Sequence, residues 1–112
     1  MAKRPELNRQ FDAVYDKDSF GALDKELRKP FCERLGEYCK DEAIVYIEVK
    51  YKDANSPGRL SGPPYHVEQA DLMEKTSFGS AFSHLAQLGK VYELPMPGMQ
   101  QTAHILQRSS RG

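Results

Sequence analysis

Tryptophan is absent from this 112-residue chain, and cysteine occurs only twice. Two cysteines cannot build the multi-bridge framework on which small secreted domains rely. Cys32 and Cys39 lie in a stretch that reads as helical, where their sequence separation would place them about 10 Å apart. That exceeds the roughly 7 Å between Cα atoms that a disulfide spans, so free thiols are expected. An excess of either charge is lacking too, because 16 basic side chains balance 16 acidic ones. Binding to nucleic acid or an anionic membrane usually draws on a basic surplus, which is missing here. No apolar run reaches the roughly 18 residues of a membrane span, and no apolar segment follows Lys3 and Arg4. Neither an anchor nor a signal peptide is expected. These absences predict a cytoplasmic, intracellular protein without a membrane partner.

Hydrophobic residues make up 39% of the chain, enough for one modest core. A domain of this size buries roughly two-thirds of the surface its unfolded chain exposes. A single domain over 1–112 is therefore expected, with loose ends at about 1–4 and 109–112.

The run Ala43 to Tyr51, AIVYIEVKY, alternates in the manner of a strand. Val45, Ile47, Val49 and Tyr51 fall on one face, and Ile44, Tyr46, Glu48 and Lys50 on the other. Upstream, Leu7, Phe11, Val14 and Tyr15 recur at helical spacing behind Pro5. Phe20, Leu23 and Leu27, then Phe31, Leu35, Tyr38 and Cys39, form further stripes on either side of Pro30. The first 40 residues thus read as helical, in two or three pieces. The Asn, Ser, Gly and Pro content of KDANSPGRLSGPP predicts a long loop at about 53–65. His66 to Glu74 has modest helical character, and Phe78, Phe82, Leu85 and Leu88 trace the buried stripe of a helix running from Ser77 to Leu88, with Gly89 as its stop. Lys90 to Leu94 and Gln101 to Arg108 read as strands about a turn at Gly98. The expected fold class is α+β, with N-terminal helices packed on a small, mainly antiparallel three-stranded sheet, in the order ααβααββ.

Two constellations carry chemical meaning. Glu48-Val49-Lys50 at the end of an apolar strand resembles the Glu-x-Lys half of the signature of restriction-endonuclease-like nucleases. That resemblance implies Glu48 holding Mg²⁺ and Lys50 beside the attacked phosphate. A carboxylate from a preceding strand is not evident. The element order resembles that of winged-helix proteins, which would put Ser80, Ser83, His84 and Gln87 on a DNA-recognition face. That face has no Arg or Lys for phosphate contact, and nucleic acid is not the favoured partner. His66, His84 and His104 fall on separate elements at spacings that match no ligand pattern, so no metal site and no cofactor are expected.

What remains is contact surface. Met96 and Met99 put two adaptable thioethers on the Pro95 to Gln100 turn, and Arg59, Leu60 and Tyr65 are bulky side chains in the 53–65 loop. With no complete catalytic set, the residues favour a small non-enzymatic binding or regulatory protein. It would act through an interface with another protein or a second copy of itself.

Overall fold

The computed structural model describes residues 3–111. Of the expected loose ends, residues 1, 2 and 112 lie outside the described residues. Strand β1 (Phe11–Lys17) is followed by helix α1 (Lys25–Tyr38), which runs directly into the long strand β2 (Cys39–Lys52). A one-turn helix α2 (Gln69–Leu72) precedes strands β3 (Phe82–Glu93) and β4 (Met99–Arg108), and short 3-10 turns occupy Pro5–Leu7, Phe20–Ala22 and Phe78–Ser80. The four strands form one sheet in the order β1-β2-β4-β3. β1 and β2 are parallel and joined through α1, whereas β4 runs antiparallel to both β2 and β3.

This arrangement corrects the expected α+β order ααβααββ. The spacing of Leu7, Phe11, Val14 and Tyr15 fits a helix, but so short an apolar run fits a strand as well. Pairing with β2 decides it, since Val14 opposes Val45 and Asp16 opposes Ile47. The expected Ser77–Leu88 helix is replaced by β3 for a different reason. Register shifts fall between His84 and Ala86, between Gln87 and Gly89, and between Lys90 and Tyr92. Each shift inserts one residue, so Leu85, Leu88 and Val91 recur every third position and imitate a helical stripe. Gly89 sits at the middle shift with φ +82 and does not end a helix. Pro30 lies inside α1, where it removes one backbone donor without dividing the helix.

One face of the sheet carries the core. Ala43, Val45, Ile47 and Val49 on β2 and Leu106 on β4 pack against Cys32 of α1 and against Phe20, Val67, Leu72, Phe78 and Phe82. Phe78 is the centre of an aromatic cluster, 5.4 Å from Phe20 and 5.2 Å from Phe82 between ring centroids. The end of α1 is fixed by β4 and the residues after it. Arg108 Nε and Arg111 Nη2 both donate to the Gly36 carbonyl, at 3.0 and 2.7 Å, and Arg111 Nη2 also reaches the Cys39 carbonyl. Cationic groups at helix C-terminal carbonyls complement the helix dipole.

The opposite face has no helix over it among the described residues. Tyr15, Ile44 and Tyr92 are exposed there, and Tyr15 stacks on Tyr46 with centroids 5.4 Å apart. Two of the three strand pairs are antiparallel, an arrangement that commonly leaves one face to solvent.

Candidate acceptor cavity

A polar cavity lies beyond the carboxyl ends of β1 and β2, where open α/β sheets place their ligands. It is a cavity of about 610 Å³ between the first turn of α1 and the segment 59–71. Arg28 stands in its wall. The side chain is only 4% exposed, and its Nε is buried without a hydrogen-bond partner. The guanidinium lies over Phe20, 4.6 Å from the ring centroid, and 6.0 Å from the ring of Tyr65. No ion pair reaches it among the described residues.

The neighbouring acids are engaged elsewhere. Asp16 accepts the backbone N–H groups of Ser19 and Phe20 at 3.1 and 3.2 Å. Asp24, the residue before α1, does not cap the helix with its side chain but accepts the hydroxyl of Tyr65. That hydrogen bond raises the Tyr65 hydroxyl above its ordinary pKa and keeps it a donor. A buried cation without a counter-charge is costly, and Arg28 carries that cost at the edge of a cavity.

The far wall hangs from Lys52, the last residue of β2. Its backbone N–H donates to His66 Nδ1 at 2.8 Å, and its carbonyl accepts from Arg59 Nη1. Its buried ammonium donates to the carbonyls of Gly58 and Ser61 at 3.1 and 2.9 Å. His66 is therefore fixed in orientation and tautomer. With Nδ1 accepting, the neutral ring carries its proton on Nε2, which lies 3.0 Å from Glu68 Oε2.

That tautomer decides a second question. His66, Glu68 and Asp71 bring donor atoms within 4.8 Å of one another, as a metal site would. A ligating histidine, however, coordinates through one nitrogen and donates from the other. Here the nitrogen facing the acids holds the proton. Asp71 and Glu68 are further committed to each other's backbone in the capping box of α2, with Glu68 N to Asp71 Oδ2 at 2.8 Å. The cluster is an organised wall, and no cation is needed to account for it.

Glu48 and Lys50 lie on the bare sheet face, away from this cavity. Asp18, just past β1, supplies a second carboxylate near them. The Gln101 side-chain amide nitrogen sits between the two acids, donating to Glu48 at 3.0 Å and Asp18 at 3.2 Å. Lys50 Nζ completes the ring, 2.8 Å from Asp18 and 2.6 Å from the Gln101 carbonyl oxygen. The place a divalent ion would take is filled by an amide. Tyr46 donates to Glu48 at 2.7 Å, a bond that pushes its hydroxyl pKa up to about 12.

The structure brings Arg59, Leu60 and Tyr65 together on the cavity. Met96 and Met99 border a separate cleft of about 230 Å³ with Lys52, Pro63 and Pro64. Ser80 lies in a 3-10 turn, and Ser83, His84 and Gln87 lie on β3, so no recognition helix exists to carry them. Cys32 and Cys39 are free and buried, and burial pushes the Cys32 thiol up to about 12. Sequence reasoning missed Arg28, Lys52 and His66 as site residues. Arg28 did leave a trace, because it shares a helical stripe with Cys32 and Leu35, where a charged residue is out of place unless it serves something.

The description "Thiopurine S-methyltransferase (TPMT)" belongs to a family whose model matches residues 2–104. No curated protein matches the chain. Among solved structures, the chain is similar to a SAM-dependent methyltransferase from Methanosarcina mazei, with 10% identity and a TM-score of 0.69 over 93% of this chain and 62% of that one. It is similar as well to the 1,6-didemethyltoxoflavin-N1-methyltransferase of Burkholderia thailandensis, bound to S-adenosylhomocysteine, with 11% identity and a TM-score of 0.67 over 92% and 46%. A third is the 4+2 cyclase SpnF, with 11% identity and a TM-score of 0.70 over 98% and 53%. At these identities the likeness establishes a methyltransferase fold and no more. The chain spans about half to three-fifths of the length of these structures.

The family match overturns the expectation of a non-enzymatic binding or regulatory protein, and with it both alternatives. Helix recognition of DNA fails because the supposed recognition element is a strand. The nuclease likeness fails because Gln101 occupies the space between the acids. The chain belongs to the thiopurine S-methyltransferase family.

Proposed function

We propose that this chain forms the acceptor side of an S-methyltransferase, with the Arg28 cavity receiving a thiol that is methylated as its thiolate. The observation that carries this reading is Arg28 itself, a buried arginine at the carboxyl edge of two parallel strands whose Nε has no hydrogen-bond partner and which no carboxylate pairs among the described residues. A cation in a desolvated site favours the ionised form of a bound thiol, and the thiolate is the nucleophile. Tyr65 offers aromatic surface to a planar acceptor, and its hydroxyl and His66 Nε2, donating to Asp24 and Glu68, hold both rings in place in the wall. These groups bind and orient the acceptor and keep it charged.

S-Adenosylmethionine is the methyl donor this reading implies. The described residues do not fit it on their own. Asp16 already takes the free amides of the turn after β1, and the Arg28 cavity is lined largely by charged side chains, without a slot for an adenine ring. The bare sheet face and the open edge of β1 support a donor site completed by the part of the fold that the solved relatives have beyond this span. Two free thiols support a reducing compartment, the cytoplasm, and no helix of the described residues is long and apolar enough to cross a membrane.

The test is methylation of 6-mercaptopurine, the simplest thiopurine, in the presence of S-adenosylmethionine, with the wild-type protein and the variants Arg28→Met and Arg28→Lys. Turnover by the wild type, lost in Arg28→Met and partly kept in Arg28→Lys, is expected. Equal turnover in all three would remove Arg28 from the site.

A further inference from the structure

We infer that Lys52 is a positioning residue of the cavity, its ammonium fixing the Gly58–Ser61 turn and with it Arg59 opposite Arg28; this rests on the proposed acceptor role of the cavity. Lys52 is 4% exposed, and among the described residues its ammonium has no carboxylate partner. Two loop carbonyls, those of Gly58 and Ser61, take its protons instead. An apolar side chain would fill the same volume without desolvating a charge, so packing alone does not call for lysine here. What lysine adds is direction. Its ammonium binds the carbonyls of Gly58 and Ser61 on either side of Arg59, while the backbone N–H and carbonyl of the same residue, which any side chain would leave in place, bind His66 and Arg59.

The His66 end of this wall is also tied down, by Tyr65 N to the Gly21 carbonyl at 2.9 Å and Val67 N to the Lys50 carbonyl at 3.0 Å, which leaves the Gly58–Ser61 turn as the part that depends on the ammonium. Within the segment, Ser56, Arg59 and Ser61 form short turn hydrogen bonds with residues three positions earlier, and these do not connect it to the sheet. The sheet-side attachments are Asp53 N to the Gly98 carbonyl at 2.7 Å and Ser56 Oγ to the Pro97 carbonyl at 3.1 Å, both at the end away from Arg28. Nearest the cavity, Lys52 bridges β2 to the residues that face Arg28. Removing its ammonium leaves the carbonyls of Gly58 and Ser61 free to turn to water, which lets the turn that carries Arg59 shift relative to Arg28, while His66 keeps its backbone anchors.

Lys52→Met tests this in the full protein with two readouts. In hydrogen exchange, the amides of Arg59 and Ser61 should exchange at least about tenfold faster, while Val45 and Leu106 in the core strands keep wild-type protection. In methylation of 6-mercaptopurine, KM should rise about tenfold with kcat within about twofold, since a misplaced binding wall weakens acceptor capture first. Gly58→Ala attacks the cage from the exposed loop, where folding is not at risk. Gly58 has φ +73, and an added Cβ would lie 2.9 Å from Ser61 Oγ, displacing the carbonyl that Lys52 holds. It should reproduce both effects at smaller size. Unchanged loop exchange in both variants would overturn the inference, as would kcat falling in step with kcat/KM while KM stays put. If Arg28→Met leaves turnover intact, the acceptor reading fails instead, and the exchange readout still judges Lys52 without any activity.

Discussion

Lowering the pH from 7 to 5 should destabilise this protein through one buried histidine. His104 on β4 is 1% exposed, and its Nδ1 lies 3.0 Å from His84 Nε2 on β3. Burial first, and the neighbouring His84 second, bring its pKa down from 6.5 to about 4. A folded-state pKa below the unfolded value means that the unfolded chain binds the proton more readily. Stability is then complete above pH 6.5 and falls as the pH drops towards 4. Integrating the two titrations gives a loss of about 2 kcal/mol between pH 7 and pH 5, and about 3 kcal/mol in full, at 1.36 kcal/mol per unit. For a chain of this size, 2 kcal/mol corresponds to roughly 8 °C in Tm. His84, also lowered by burial, adds a smaller change of the same sign. Urea unfolding at pH 7 and pH 5, for the wild type and for His104→Gln, isolates the effect, provided the m-value stays constant. The variant should lose most of the pH dependence. A wild type equally stable at both pH values, or a variant as pH-sensitive as the wild type, would refute the argument.

Other perturbations should act through packing and satisfied polarity. Phe78→Ala empties the centre of the aromatic cluster and should cost about 3–5 kcal/mol in urea unfolding. Gly79→Ala would place a Cβ 2.0 Å from the Met73 carbonyl oxygen, so it should cost at least about 3 kcal/mol or prevent folding, read from soluble yield and Tm. Gln101→Leu leaves Glu48 and Asp18 facing each other without their shared donor, and calorimetry should show a loss of about 1–3 kcal/mol. In that variant Lys50→Met should cost more than it does in the wild type, because Lys50 then becomes the remaining compensation for two acids.

Part of this architecture was legible in the residues. The alternation in AIVYIEVKY specified both faces of β2, and the buried set Val45, Ile47 and Val49 lies where period 2 puts it. The irregular stretch between β2 and α2 was evident from its Pro, Gly and Ser content. The sheet's handling of β1 and β3 was not. Seven residues of β1 fit either period, and only the partner strand resolves the choice. In β3 three inserted residues convert a period of two into a period near three, which no local pattern distinguishes from a helix. The site was hidden for another reason. Arg28, Lys52 and His66 come from different elements and acquire meaning through one another: a guanidinium without a partner, an ammonium in a carbonyl cage, an imidazole fixed by a backbone amide. Glu48 and Lys50 showed the opposite failing, since a suggestive spacing proved to be a self-satisfied polar island completed by Asp18 and Gln101.

The most direct test of the acceptor reading is spectroscopic. Titration of 6-mercaptopurine into the wild-type protein at a pH below the free thiol's pKa should produce the thiolate absorption band on binding, and Arg28→Met should bind it weakly and without that band. Binding that leaves the thiol neutral, or a thiolate band of equal strength in Arg28→Met, would contradict the account.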